Sequence, residues 1–108
     1  MSKIVAVASL VASEGRGDEL VEAFRNAIEQ THGEEGCLKY ALHRDKANPD
    51  HVIMIEHWRS QDDLDAHGKQ PYLAEMMTKM GAPGLFAEGP KLWFTDPLLI
   101  GDASKGQL

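Results

Sequence analysis

The stretch His51–Met80, HVIMIEHWRSQDDLDAHGKQPYLAEMMTKM, decides how this chain folds. Its apolar run Val52–Ile55 continues into Glu56-His57-Trp58-Arg59, so a strand delivers a carboxylate, an imidazole and an indole near its end. A helix follows at once. Ser60 is the natural N-cap, Asp63 stands where a capping-box partner reaches back, and Asp62 favours the positive end of the helix dipole. Leu64 and His67 follow at helical spacing and share the face that the helix turns toward whatever it covers. Pro71 interrupts the pattern, and Leu73, Met76, Met77 and Met80 resume it, so the helix bends or restarts at Pro71 rather than ending.

Upstream, Ile4–Ala12 is apolar on both parities and reads as a strand buried on both faces. Glu14–Gly17 is a turn. From Asp18 to about His32, Leu20, Phe24, Ala27, Ile28 and Thr31 make a helical stripe, with Gly33 as the stop signal. Cys37–Arg44 is a second strand, with Leu38, Tyr40 and Leu42 on one face and Lys39, Ala41 and His43 on the other. Asp45–Asp50, with Asn48-Pro49-Asp50, is hairpin-turn chemistry. Downstream, Gly81–Gly89 reads as an irregular crossing and Lys91–Thr95 as a fourth strand ended by Asp96-Pro97. Leu98–Ile100 is an apolar patch before a polar tail, residues 101–108, that is expected to be mobile. There are no internal repeats. Residues 1–108 read as one domain, with its core at about 3–96.

The order β-α-β-β-α-β predicts an α+β fold: a four-stranded antiparallel sheet with both helices on one face. Two helices cover only one face, yet strands 4–12 and 52–59 carry large apolar residues on both parities. Leaving the second face wet would expose more than the few hundred Å² that monomers usually tolerate. The economical expectation is a homodimer packed sheet against sheet, with Leu98–Ile100 reaching across. The alternative is that loops cover this face, and few residues are spare for that.

Composition bounds the partners. At 108 residues the chain suits a single domain, and its formal net charge of −6 argues against nucleic acid and anionic membrane surfaces. No run reaches the roughly 18 apolar residues of a membrane span. Lys3 and the following IVAVASLVAS resemble a short secretory signal, but removing them would strip the domain of its best strand, so we read a mature strand. The lone Cys37 has no partner for an internal disulfide, which suits a reducing compartment, and a cytoplasmic location is the expectation. Gly15-Arg16-Gly17 lacks the third glycine of a dinucleotide loop. The histidines show neither HxH nor HExxH spacing, so no metal site is expected.

Gly36-Cys37-Leu38 with Tyr40, then Glu56 and Trp58 ending a strand, then His67 followed by Pro71-Tyr72, resemble the antibiotic biosynthesis monooxygenase family, including its quinol monooxygenases. The likeness runs from about Lys3 to Thr95. It implies a ferredoxin-like domain paired as a dimeric α+β barrel, with an apolar cavity between sheet and helices. It also implies oxygenation of hydroquinones, anthrones or similar phenols with dioxygen and without a metal, flavin or other cofactor. The family also contains isomerases and haem-degrading enzymes.

Cofactor-free oxygenation needs a substrate anion that can give an electron to dioxygen, so the protein must take a proton, hold the anion and keep bulk water away. His67 is the candidate base, since an imidazole accepts a proton near neutrality. The alternative is a core histidine satisfied by a carbonyl. Glu56 shares parity with Val52, Met54 and Trp58; if that side faces the helices, its carboxylate can orient His67 or bind a substrate hydroxyl. The opposite parity puts His57 and Arg59 inside and Glu56 on the dimer face. Trp58 is a candidate to stack on an aromatic substrate, Tyr40 to donate to a substrate oxygen, Met76 to adapt to a flat ligand and Phe86 to act as a lid; each is equally an ordinary packing residue. Three other readings stand beside the oxygenase. They are a haem-degrading enzyme, which is associated with a first-strand asparagine that Ile4–Ala12 lacks, an isomerase, and a non-catalytic dimer that sequesters a small aromatic molecule.

Overall fold

In the computed structural model, which describes residues 3–108, the chain runs β1 (Ile4–Ala12), α1 (Gly17–Thr31), β2 (Cys37–Asp45), β3 (Asn48–Trp58), α2 (Gln61–Gly68), α3 (Pro71–Met80) and β4 (Phe86–Thr95). The strands pair antiparallel in the order β2-β3-β1-β4, which is the expected ferredoxin-like α+β arrangement. Register sets the core. Ala6, Leu10, Val52, Met54 and Trp58 turn inward with Tyr40, and Leu20, Phe24, Met80 and Leu85 close over them. Val5, Val7, Ile53 and Ile55 occupy the opposite parity and are only half-buried. One face of the central strands is therefore sheltered by helices and the other carries apolar side chains partly in water.

Local chemistry explains where the elements depart from the expected bounds. The hairpin turn shrinks, because β3 already begins at Asn48. Asp50, expected in the turn, instead accepts the backbone N–H groups of Gly15 at 3.0 Å and Gly17 at 2.8 Å, and so caps α1 from another element. Pro71 separates two helices rather than bending one: Gln70 is extended at φ −72° and ψ 137°, and Pro71 takes the first helical position. The expected capping at Ser60 is present, with its Oγ accepting from Asp63 N–H at 3.2 Å while its own hydroxyl donates to the Asp63 carboxylate at 2.7 Å.

Two corrections concern strands. β4 starts at Phe86, not Lys91, and runs through Gly89-Pro90. It is an edge strand, where a residue without an N–H is tolerated, and irregular register against β1 beyond Ser9 accommodates it. In β2 a register shift between Cys37 and Lys39 breaks the expected alternation, placing Cys37 opposite Trp58 and Tyr40 opposite Glu56. Leu38, expected beside Tyr40, is 39% exposed.

The polar tail also departs from expectation. Asp102 Oδ1 accepts from Ser104 N–H, Ser104 Oγ and Lys105 N–H, which forms a turn. Leu99, Gln107 and Leu108 then line a cavity of about 430 Å³ with Lys3, His57 and Asp96. No helix of the described residues is long and apolar enough to cross a membrane.

Candidate active site

A cleft of about 900 Å³ opens between the inner sheet face and α2 and α3, with Met54, Leu64, Leu73, Met76, Met77 and Met80 among its apolar lining. It lies where an apolar cavity was expected, between sheet and helices, and opens at β4, where Leu92 and Phe94 at its mouth are 52% and 62% exposed. Three buried polar side chains lie in its wall, Tyr40 from β2, Glu56 from β3 and His67 from α2, while Gln61, Asp65, Lys69 and Lys91 stand exposed around them.

The parity of β3 is thereby decided. Glu56 points inward with Met54 and Trp58, while Arg59 is outside, bonded to Asp63 and Glu35. His57 is buried beneath the tail on the other face, and neither ring nitrogen has a hydrogen-bond partner among the described residues. Burial and the nearby Lys3 hold its pKa below the usual imidazole range.

His67 is held from three sides. Its Nδ1 lies 2.8 Å from Glu34 Oε2, and both side chains are largely buried, at 6% and 13% exposed. A carboxylate only accepts, so Nδ1 carries the hydrogen and Nε2 keeps its lone pair. Trp58 packs on the imidazole with ring centroids 4.5 Å apart, and Tyr40 meets it edge-on at 5.2 Å. The second donor to Glu34 Oε2 is the Tyr72 phenol, at 2.5 Å. The alternative of a histidine satisfied by a carbonyl does not hold here, since its partner is a carboxylate.

Glu56 sits at the centre of the polar wall. Its Oε1 accepts the Trp58 indole N–H at 2.9 Å. Burial raises its pKa, with Glu34 acting in the same sense, whereas the indole hydrogen bond and His67 oppose the rise. Burial, reinforced by the carboxylates of Glu56 and Glu34, also keeps the Tyr40 phenol protonated far above neutrality. Tyr40 is consequently a hydrogen-bond donor throughout the physiological range. Cys37 is pushed up to about 11 by burial and the same two carboxylates, so it is a thiol at neutral pH and a poor nucleophile.

The expected residues are thus brought together in part. Tyr40, Glu56, His67 and Met76 line one cleft. Trp58 is fully buried behind it, touching Glu56 and His67 rather than the open space. Phe86 is no lid: it lies on β4 opposite Ala12 and packs against the core. Glu34 and Tyr72 are the residues that sequence reasoning missed. Glu34 lies in a turn 33 positions from His67, and its one available signal was its place just before Gly36-Cys37.

Fold and cleft define a class: small α+β proteins with helices on one sheet face and a ligand-sized, largely apolar site between them. The chain belongs to the antibiotic biosynthesis monooxygenase family, whose family model matches residues 3–79. A candidate antibiotic biosynthesis monooxygenase from Caulobacter crescentus is 28% identical, with 90% of this chain and 91% of that one covered at a TM-score of 0.81. A protein from Shewanella oneidensis is 25% identical, with coverages of 88% and 90% and a TM-score of 0.79. An uncharacterized protein of Synechocystis is 27% identical over 85 residues, which are 79% of this chain and 56% of that protein. The chain thus spans about half the length of that curated relative.

Proposed function

We propose that this protein is a monooxygenase acting on a flat, electron-rich quinol or polycyclic phenol. The observation that carries the reading is His67, whose Nδ1 is committed to a buried carboxylate while the same ring lines an apolar cleft beside Glu56 and Tyr40. Membership of the family and the names of its structural relatives support the same class of reaction.

In this mechanism His67 Nε2 removes the phenolic proton, and Glu34 stabilises the resulting imidazolium. Tyr40, and Glu56 when protonated, donate to substrate oxygens. The phenolate passes an electron to dioxygen, and the radical pair joins at a ring carbon to give a peroxide. Loss of water from that peroxide leaves a carbonyl. One oxygen atom enters the quinone product and the other leaves as water, with the substrate supplying all the electrons. The methionine-rich wall fits flat rings of varied outline and keeps water from the intermediates. Pairing of two copies across the half-buried sheet face completes the proposal, with small aromatic substrate, dioxygen and a second copy as the partners.

The test is anaerobic mixing of protein with a reduced naphthoquinol, followed by admission of oxygen. Oxygen uptake above the protein-free rate is expected, with one labelled oxygen atom from the gas in the product. His67→Ala should lower turnover by about 10²-fold or more while ligand binding persists. A protein-independent rate across several quinols and phenols would exclude the reading, and turnover without oxygen consumption would favour an isomerase.

A further inference from the structure

We infer that the substrate of the cleft carries a hydrocarbon chain: its quinol or phenol head lies at the buried polar wall, and an alkyl or isoprenoid chain leaves along the apolar rim between α3 and β4. The nature of the head rests on the proposed oxygenase reading, whereas the chain follows from the lining of the cleft. Tyr40, Glu56 and His67 gather the buried polar groups in one place, so a phenolic oxygen brought to His67 Nε2 fixes the head there. The space beyond it is larger than a two-ring head requires. At about 900 Å³ the cleft stands near the upper end of the range, roughly 300–1,000 Å³, that holds drug-sized ligands.

Strand register supplies the exit. Ala8 pairs with Leu92 and Ala6 with Phe94, so both large side chains project on the helix side of the sheet, on its β4 edge. Ala8 lines the cleft with only a methyl group, which leaves a trough beside Leu92, and Leu73, Met76 and Met77 of α3 stand in the same lining. Met77, Leu92 and Phe94 are 66%, 52% and 62% exposed. Three large apolar side chains gathered on one margin, rather than scattered singly, mark a contact surface.

The α2 margin is polar instead. Gln61 Nε2 donates to Asp65 Oδ1 at 2.8 Å, and Lys69 follows the helix. On the α3 and β4 side Lys91 is the one charged lining residue among the described residues, and its alkyl stem can lie along a chain while the ammonium stays in water. Hydrocarbon therefore leaves by α3 and β4. The proposed pairing of two copies uses the other sheet face, so this rim stays open to substrate. Because rim and polar wall belong to one continuous cleft, a single ligand with head and chain fits it better than a separate protein or membrane partner.

The experiment measures binding of methyl-naphthoquinone and its butyl- and octyl-bearing homologues to the full chain by calorimetry. These oxidised compounds bind without turnover. Each added methylene should lower Kd by about twofold to fourfold until the chain passes the rim. Phe94→Ser and Met77→Ser should each shrink the octyl-to-methyl ratio by about fivefold, and Trp93→Ser and Leu98→Ser, exposed apolar positions outside the cleft, should preserve it. No binding, equal affinity for the three compounds, or a ratio that falls as far in Trp93→Ser as in Phe94→Ser would overturn the inference. Altered sedimentation of Phe94→Ser would assign the rim to a protein contact, and binding of the ligand-free parent to phosphatidylcholine vesicles would assign it to a membrane; either result overturns it too. Circular dichroism separates lost contact from lost fold. Failure of the oxygenase reading shows in oxygen uptake and not in this binding series, so the two are distinguishable.

Discussion

Glu34 holds the cleft together at the scale of a single residue, because one of its oxygens takes both the His67 Nδ1–H and the Tyr72 hydroxyl. Glu34→Gln keeps one acceptor oxygen for Nδ1–H and the Tyr72 hydroxyl but removes the negative charge that stabilises the imidazolium. Under the proposed mechanism kcat should fall by about 10²-fold with KM changed far less. A matching rise in KM with unchanged kcat would mean that Glu34 shapes binding instead. Glu56 provides a second test. Its folded-state pKa is raised by burial, so its contribution to stability is complete below the ordinary carboxylate range and is lost as pH rises through the raised value. Glu56→Gln keeps an oxygen for the Trp58 indole and removes the titration. Denaturant midpoints of the variant should therefore decline less than those of the parent as pH rises above the ordinary carboxylate range. Parallel curves would refute the burial argument.

Elements are positioned by contacts between distant segments. The first turn of α1 rests on β3: a Cβ added at Gly17 would stand 2.4 Å from Pro49 O and 2.8 Å from Asp50 Cα, both backbone atoms that yield little. Gly17→Ala should cost about 1–3 kcal/mol in urea unfolding despite the higher helix propensity of alanine. At α2 the Ser60 hydroxyl joins the Asp63 N–H and carboxylate, and Ser60→Ala should cost about 1 kcal/mol. A loss under a few tenths of a kcal/mol in either variant would show that the contact is dispensable. Gly36, part of the motif that carries the family likeness, has a related role. A Cβ there would fall 2.1 Å from Asp63 Cγ, whose carboxylate is pinned by Arg59 and Ser60.

For the molecule as a whole, the open sheet face is the unsolved packing problem. Val5, Val7, Ile53 and Ile55 are half-buried there, and Trp93 beside Val7 is 50% exposed. A second copy is the proposed cover. Sedimentation should show a dimer for the parent, and Ile55→Glu, at the centre of this face, should shift it to monomer while leaving the helix-side core intact. A monomeric parent at micromolar concentration would leave the face to another partner. The exposed Leu98, Leu99 and Ile100, at 73%, 71% and 73%, give the same experiment a second site for substitution.

Much of this was legible in the one-dimensional pattern. Periodicity located β1, α1, β2 and β3 and the helical stretch that Pro71 divides, Ser60 announced its cap, and Gly36-Cys37, Glu56, Trp58 and His67 carried the family. These signals are local: each depends on residues a few positions apart, and their physics is backbone geometry and side-chain parity. The start of β4 was hidden because Gly89-Pro90 reads as a breaker and becomes tolerable only once that strand is known to be an edge. The bulge at Leu38 reversed a face that strict alternation would have assigned. Glu34 becomes a neighbour of His67 and Tyr72 only when the chain has folded. Contacts between residues more than thirty positions apart depend on register and on the docking of helices, so tertiary structure alone determined which carboxylate faces which imidazole.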